Sequence, residues 1–320
     1  MKKLSLILSA LLFLSLVACN NMANSDDNLA AEEAAIKSVL ESDDLTYDEI
    51  GDPDEDSIDN DDPNWLGKTG FNKDGKHRLR YGRIITGREG SVEIVFDGDT
   101  AATAYISRTF TGKFVTHSGT LVNDTLTLTR FEKPLQHDIE RIVTLRKVRN
   151  DAAVERRNWR VSSVSMADGL SNPGDVSIEK LVIKPAGQDS MVITDPNATF
   201  FDGNNMLNLP RFSEVTIKVF VKNNTANPVY FPVDTRATES VRLHYGRNRR
   251  GGRAITFFKY MGEDNAGNKI YQGTWTVKQF SGYHHAVVDV IDNGTILEKD
   301  EVTYPYSSAT WGMPYHISPF

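Results

Sequence analysis

The chain has 320 residues, 39% of them hydrophobic and 25% charged, with a single cysteine and a formal net charge of −7. That length accommodates two domains of ordinary size, and one cysteine excludes a disulfide or a multi-thiolate metal site within a single chain. Setting aside Lys2 and Lys3 leaves 34 of the 36 Lys and Arg against 43 Asp and Glu; eleven of those acids lie between Asp43 and Asp62, so the remainder is nearly neutral and lacks the excess of bases that nucleic acid demands.

Met1-Lys2-Lys3 is a short positive start, and Leu4 to Val17 is an apolar run broken only by Ser5, Ser9 and Ser15. This is the layout of a secretory signal. The run is too short for a membrane-spanning helix, which needs about 20 apolar residues. Leu16-Val17-Ala18-Cys19 resembles the lipobox of bacterial lipoproteins. The resemblance implies removal of residues 1–18, acylation of Cys19, and a tether over 19–27. More than one acyl chain on one residue is what stable anchoring requires. Asn20, rather than aspartate, after the lipobox points to the outer membrane, and Ser25-Asp26-Asp27 resembles the acidic export signals of surface-displayed lipoproteins.

Ala30 to Leu40 (AAEEAAIKSVL) sets Leu29, Ile36 and Leu40 on one side at helical spacing, with Glu32 and Glu33 in the first turn. Asp43 to Asp62 contains no positive charge and is interrupted by Gly51 and Pro53. Such a block repels itself and reads as a solvated loop. Asp52, Asp54 and Asp56 alternate like the first ligands of a calcium loop. Ser57 stands where the turn glycine belongs and Pro63 where the bidentate glutamate belongs, so they are calcium candidates without a complete motif.

The periodicity then becomes two-residue. Strands are expected at Ser91–Phe96, Ala101–Phe110, Thr125–Phe131, Ile139–Val148 and Trp159–Val164, with a turn at Asp97-Gly98-Asp99. A helix followed by antiparallel strands predicts an α+β module. The order of helix, the Gly98-to-Ala101 hairpin, Arg141 to Val148 and Asn158 to Val161 resembles an NTF2-like (cystatin-like cone) domain over residues 28–167. That family includes isomerases and dehydratases that work in an apolar pocket, and many non-catalytic members. His77 lies among Lys73, Lys76, Arg78 and Arg80, His117 lies in a hairpin-like stretch, and His137 adjoins Asp138, although neighbours in a strand point to opposite faces. No catalytic residue is assigned.

Residues 168–174 are rich in turn-formers and are expected as a linker. Beyond it, strands are expected at Val176–Ile183, Glu214–Lys222, Ser240–Tyr245, Ala254–Lys259, Tyr271–Lys278, Ala286–Ile291 and Tyr315–Ser318, which predicts an all-β sandwich over 175–320. Asn223-Asn224-Thr225, Gly262 to Tyr271 and Ala286 to Ile291 resemble bacterial immunoglobulin-like domains, with Asn268 where relatives often have aspartate.

Arg247, Arg249, Arg250 and Arg253 fall in a predicted hairpin tip, as ligand-binding candidates for anionic groups. His284 and His285 are consecutive and so cannot share a sheet face as metal ligands. Trp275, Trp311, Tyr304, Tyr306 and Tyr315 read as core packing ahead of a sugar platform. The expected function is a membrane-anchored envelope lipoprotein that binds an envelope protein or glycan without catalysis, without a cofactor or metal and without nucleic acid. The alternative is an NTF2-like isomerase or dehydratase with the sandwich as spacer.

Overall fold

The computed structural model describes residues 29–46, 77–122, 125–148, 158–231, 236–248 and 254–318. Cys19, Asp52, Asp54 and Asp56 lie outside them. Helix α1 spans residues 29–42 and buries Ala35, Ile36, Val39 and Leu40, which recur at helical spacing. Leu29 is exposed. Glu32 accepts hydrogen bonds from the Trp159 indole N–H (2.5 Å) and from the Lys147 ammonium. A short turn at Asp44–Thr46 follows, where the Thr46 hydroxyl donates to the Leu40 carbonyl.

The strands in chain order are β1 (His77–Asp97), β2 (Ala101–Val122), β3 (Thr125–Lys147), β4 (Trp159–Ser165), β5 (Ala167–Ser171), β6 (Val176–Pro185), β7 (Met191–Ile193), β8 (Phe200–Asp202), β9 (Asn208–Pro210), β10 (Glu214–Asn223), β11 (Glu239–Arg247), β12 (Ala254–Phe257), β13 (Lys259–Glu263), β14 (Lys269–Thr276), β15 (Gly282–Asp292) and β16 (Ser308–Ser318). A short helix, α2 (Asn293–Leu297), follows β15, with the Asp292 side chain capping it at Thr295 N–H (3.2 Å).

The expected α+β NTF2-like cone is not formed. Among the described residues the only longer helix is α1, and residues 77–147 make a meander of strands 21, 22 and 23 residues long. The sequence divides these strands because their interruptions look like turns. Thr125–Phe131 and Ile139–Val148 are one strand running through Pro134, which precedes the β5 pairing that starts at His137. Gly112 interrupts the pattern of β2, yet it is required within the strand: a Cβ there would sit 2.0 Å from the Ile84 carbonyl oxygen, beside the bulge at Ile85/Gly87.

The larger sheet runs β1-β2-β3-β5-β16-β15-β11-β12, with β4 and β8 added at β3 and β9 added at β16. The stretch expected as a linker therefore carries β5, paired on one side with β3 and on the other with β16. The smaller sheet runs β13-β14-β10-β6-β7. The two sheets face each other as a β-sandwich. Val215, Ile217, Val219 and Val221 alternate inward along β10, as the sequence predicts, and share one apolar core with Val241 and Leu243 of β11, Ala286, Val288 and Val290 of β15, and Trp311, Met313 and Tyr315 of β16. Each valine, leucine, isoleucine or methionine among them contributes about 1.5–3 kcal/mol on burial.

The opposite face of β11, β15 and β16 is also buried. Strands this long coil because every residue adds right-handed twist. The meander accordingly wraps back over that face: Leu79, Tyr81 and Ile85 of β1, Phe114 of β2 and Leu135 of β3 pack with Ile291, Ile296 and Tyr306 in a second apolar cluster. The polar residues of this face are thereby enclosed.

Candidate functional site: an ionic cluster inside the curled sheet

Asp289 is the centre of the enclosed face. It lies directly across from Arg242 on one side and from Thr310 on the other, so all three project to the same face. The curl brings in Arg83 from β1, which β2, β3, β5 and β16 separate from β15 in the sheet order. Arg83 Nη1 donates to Asp289 Oδ2 at 2.7 Å and Nη2 to Oδ1 at 2.8 Å, a two-pronged pair, and both side chains are essentially inaccessible, at 0% and 1%. Arg242 Nε adds a third bond to Oδ2 at 2.9 Å, and His244 Nε2 stands 3.4 Å from the same oxygen.

Hydroxyls complete the cluster. Arg83 Nε donates to the Tyr306 hydroxyl at 2.7 Å and Nη2 to Ser308 Oγ at 2.8 Å, while Ser308 Oγ donates to Asp289 Oδ1 at 3.2 Å. His137 of β3 is held between Tyr306 Oη (3.3 Å, at Nδ1) and Thr310 Oγ1 (3.0 Å, at Nε2). It can approach because residue 169 is glycine: a Cβ there would lie 2.2 Å from Thr310 Oγ1 and 2.7 Å from His137 Nε2. The Arg242 guanidinium lies 5.2 Å from the centre of the Tyr81 ring.

Burial by itself would push the Asp289 carboxyl up, but the guanidiniums of Arg83 and Arg242 hold it well below the usual carboxylate range. Burial, reinforced by Arg83, pushes His137 down to about 3 and keeps it neutral. Tyr306 is pushed up by burial. The cluster is thus two guanidinium cations and one carboxylate among the hydroxyls of Tyr306, Ser308 and Thr310 and the neutral His137, with His244 beside Asp289; it fixes strands in place and is closed to solvent.

A second buried group joins the two sheets. Asn223 Nδ2 donates to Glu239 Oε1 (2.7 Å) and Asp292 Oδ1 (2.9 Å), and the Tyr271 hydroxyl donates to Glu239 Oε2 (2.5 Å). The Asp292 carboxyl is pushed up, chiefly by burial.

The other sequence candidates are dispersed. Arg247 is not at an exposed tip; it is 2% exposed and pairs with His285 where β11 meets β15, while Arg249, Arg250 and Arg253 lie outside the described residues. His284 and His285 point to opposite faces as expected: the first stacks on Tyr315 at 5.6 Å and the second donates from Nε2 to the Asp44 carbonyl at 2.8 Å. His117 is on the outer face of the meander, directly between Arg80 and Arg130. Trp275, Trp311, Tyr306 and Tyr315 are buried in the core. Among the described residues no group of three or more His, Cys, Asp and Glu side chains could hold a metal ion.

The sequence reading missed Arg83, Arg242 and Asp289. The available signal was an acid within the apolar run Ala286 to Ile291, which is costly unless a partner is buried with it. No known family model matches the chain, and no curated protein matches it. Among solved structures, one of Extended-Synaptotagmin 2, containing its SMP domain and its paired C2 domains, aligns with 76% of this chain and 90% of that one at 6% identity, with a TM-score of 0.15. A likeness of that size carries no argument about fold or function.

Proposed function

We propose that this chain is a lipid-anchored protein of the bacterial cell envelope that acts by binding rather than by catalysis. The observation that carries the binding reading is the closure of the Arg83–Asp289–Arg242 cluster, whose charged groups direct their hydrogen bonds to one another inside the fold. A catalytic acid or base must reach the proton that it moves. Anchoring rests on the run from Met1 to Cys19, with the acyl groups on Cys19. No helix among the described residues is long and apolar enough to cross a membrane. The face-to-face antiparallel packing of β6, β10 and β14 on β11, β15 and β16 supports reading this half as an immunoglobulin-like sandwich, presented to an envelope protein or glycan.

The test is metabolic labelling with an alkyne fatty acid in a bacterial host. The full chain should take up label and partition with membranes, and Cys19→Ser should lose both. Unlabelled wild-type protein in the soluble fraction would remove the anchor. For the binding reading, the chain should retain an envelope component on a column, and the same retention should survive replacement of the ionic cluster by apolar residues; loss of retention in a variant that is still folded would assign the cluster a direct role.

A further inference from the structure

We propose that the end of the sandwich bearing Phe212, Phe280 and Tyr283 is the face at which two copies of this chain meet. These three aromatic side chains are exposed by 67%, 60% and 41%. They leave roughly 350 Å² of residue surface in water, the size of patch that marks an interaction site on a soluble domain. The rings come from separate turns that the fold ties together. The Phe212 N–H donates to the Val277 carbonyl at 3.0 Å and the Val277 N–H to the Ser213 carbonyl at 2.9 Å, which joins the start of β10 to the end of β14. Phe280 lies just beyond Val277, and its carbonyl accepts from His284 Nε2 at 2.9 Å. Tyr283 is directly across from His316 of β16, with their rings 5.1 Å apart.

Phe212 has φ 61°, the left-handed region that side chains other than glycine rarely occupy. The turn thus holds a phenyl ring toward water in a conformation disfavoured for its residue type, a combination that local stability does not explain.

The charged margin of the patch carries both signs, on different sides. The acids stand on the side of the smaller sheet. Glu214 opens β10, and its carbonyl accepts from the Ala186 N–H at 2.8 Å, which brings up the exposed turn that carries Asp189. Lys184 behind them folds over that turn and donates to the Gln188 carbonyl at 2.6 Å. Lys278 stands on the side of the larger sheet, exposed, with its ammonium 5.7 Å from the centre of the Tyr245 ring of β11. Arg211, half-buried, precedes Phe212.

A partner of a single sign would be repelled by part of this margin, whereas a second copy is matched by it. A half-turn about an axis through the rings carries Lys278 of one copy toward Glu214 and Asp189 of the other, and the symmetry repeats the contact. Aromatic side chains at the centre with charges around them are also the anatomy of a protein interface. Three rings and a narrow margin fall short of the about 800 Å² that each partner buries in a standard stable interface, so the pair forms reversibly.

The test is independent of the anchor because it uses protein without an acyl group. Residues 20–320, which retain every described element, are followed by sedimentation velocity as concentration is raised through the micromolar range. The average mass should climb from monomer toward dimer. Phe212→Ser with Phe280→Ser should raise the dimer dissociation constant about tenfold or more, since each substitution acts in both copies, with the circular dichroism spectrum unchanged. Lys278→Glu and Glu214→Lys should each weaken self-association, and an equimolar mixture of the two variants should regain it, because opposite charges then face each other across the interface. Wild-type protein that stays monomeric, a double phenylalanine variant that pairs as tightly, or a mixture no stronger than its components would overturn the proposal. So would a monomeric wild type whose retention of an envelope component is lost in the double variant, which would give the patch to a different partner.

Discussion

Arg83 and Asp289 are 206 residues apart in the chain and meet through two parallel hydrogen bonds of 2.7 and 2.8 Å inside the curled sheet. The pair ties the first long strand to the strand at the centre of the sandwich, so the meander and the sandwich share one buried junction. A pair this deeply buried is costly to assemble and costlier to break, because either partner left alone is an uncompensated charge away from water.

Arg83→Met should therefore destabilise the protein by about 3–5 kcal/mol, and Asp289→Leu, which strands both Arg83 and Arg242, by a similar amount. Replacing all three with apolar residues of similar volume should recover much of the loss. Urea unfolding midpoints of the single and triple variants check this, and a triple variant weaker than either single one would refute it.

Stability should fall as the solution is acidified from neutrality. His137 takes a proton below about 6.5 when unfolded but only near 3 in the fold, so through that window the unfolded chain binds the extra proton. Asp289 adds to the fall at lower pH, since its folded value lies below the unfolded one and its stabilisation is lost as pH drops through the folded value. His137→Gln should flatten the slope between about pH 4 and 6.5 in urea titrations taken at several pH values.

Gly112→Ala should be among the most damaging single-methyl additions in the chain. The new Cβ would meet the Ile84 carbonyl at 2.0 Å, and backbone on a neighbouring strand cannot swing aside. A loss of about 1–3 kcal/mol or more is expected in thermal unfolding, together with perturbed amide signals on both sides of the bulge at Ile85/Gly87.

Lys133 should pin α2 and the chain that follows it. Its ammonium donates to the carbonyls of Gly294 (2.8 Å) and Tyr304 (2.5 Å), and burial pushes it down to about 8. Lys133→Met should speed amide hydrogen exchange across residues 294–304 while leaving β6 and β10 protected. Uniform protection in the variant would show that Lys133 does not hold the segment.

Much of the sandwich was legible along the chain. Glu214–Lys222 alternates without exception and Tyr271–Thr276 falls where a strand was expected, because a sheet face packed on another sheet leaves a period-two signature, whereas Ala286–Ile291, buried on both faces, was legible as a short apolar run. The helix over residues 29–42 was legible for the same reason, at its own period. Glycine and proline within β2, β3 and β5 concealed the true strand lengths, since a residue that ends a strand in isolation can sit inside one where a neighbour comes close.

The sequence by itself determined the local alternation of apolar and polar residues, the helical stripe of α1, and the motif that ends in Cys19. Only the tertiary structure decided what the polar half of each strand faces. Asp289, Arg242, Ser308 and Thr310 occupy positions that alternation assigns to solvent, and the twist accumulated over three strands of more than twenty residues folds Arg83 and His137 down onto them. A charge can remain inside a protein only beside its partner, and pairing across 206 residues is a property of the folded sheet that no window of sequence contains.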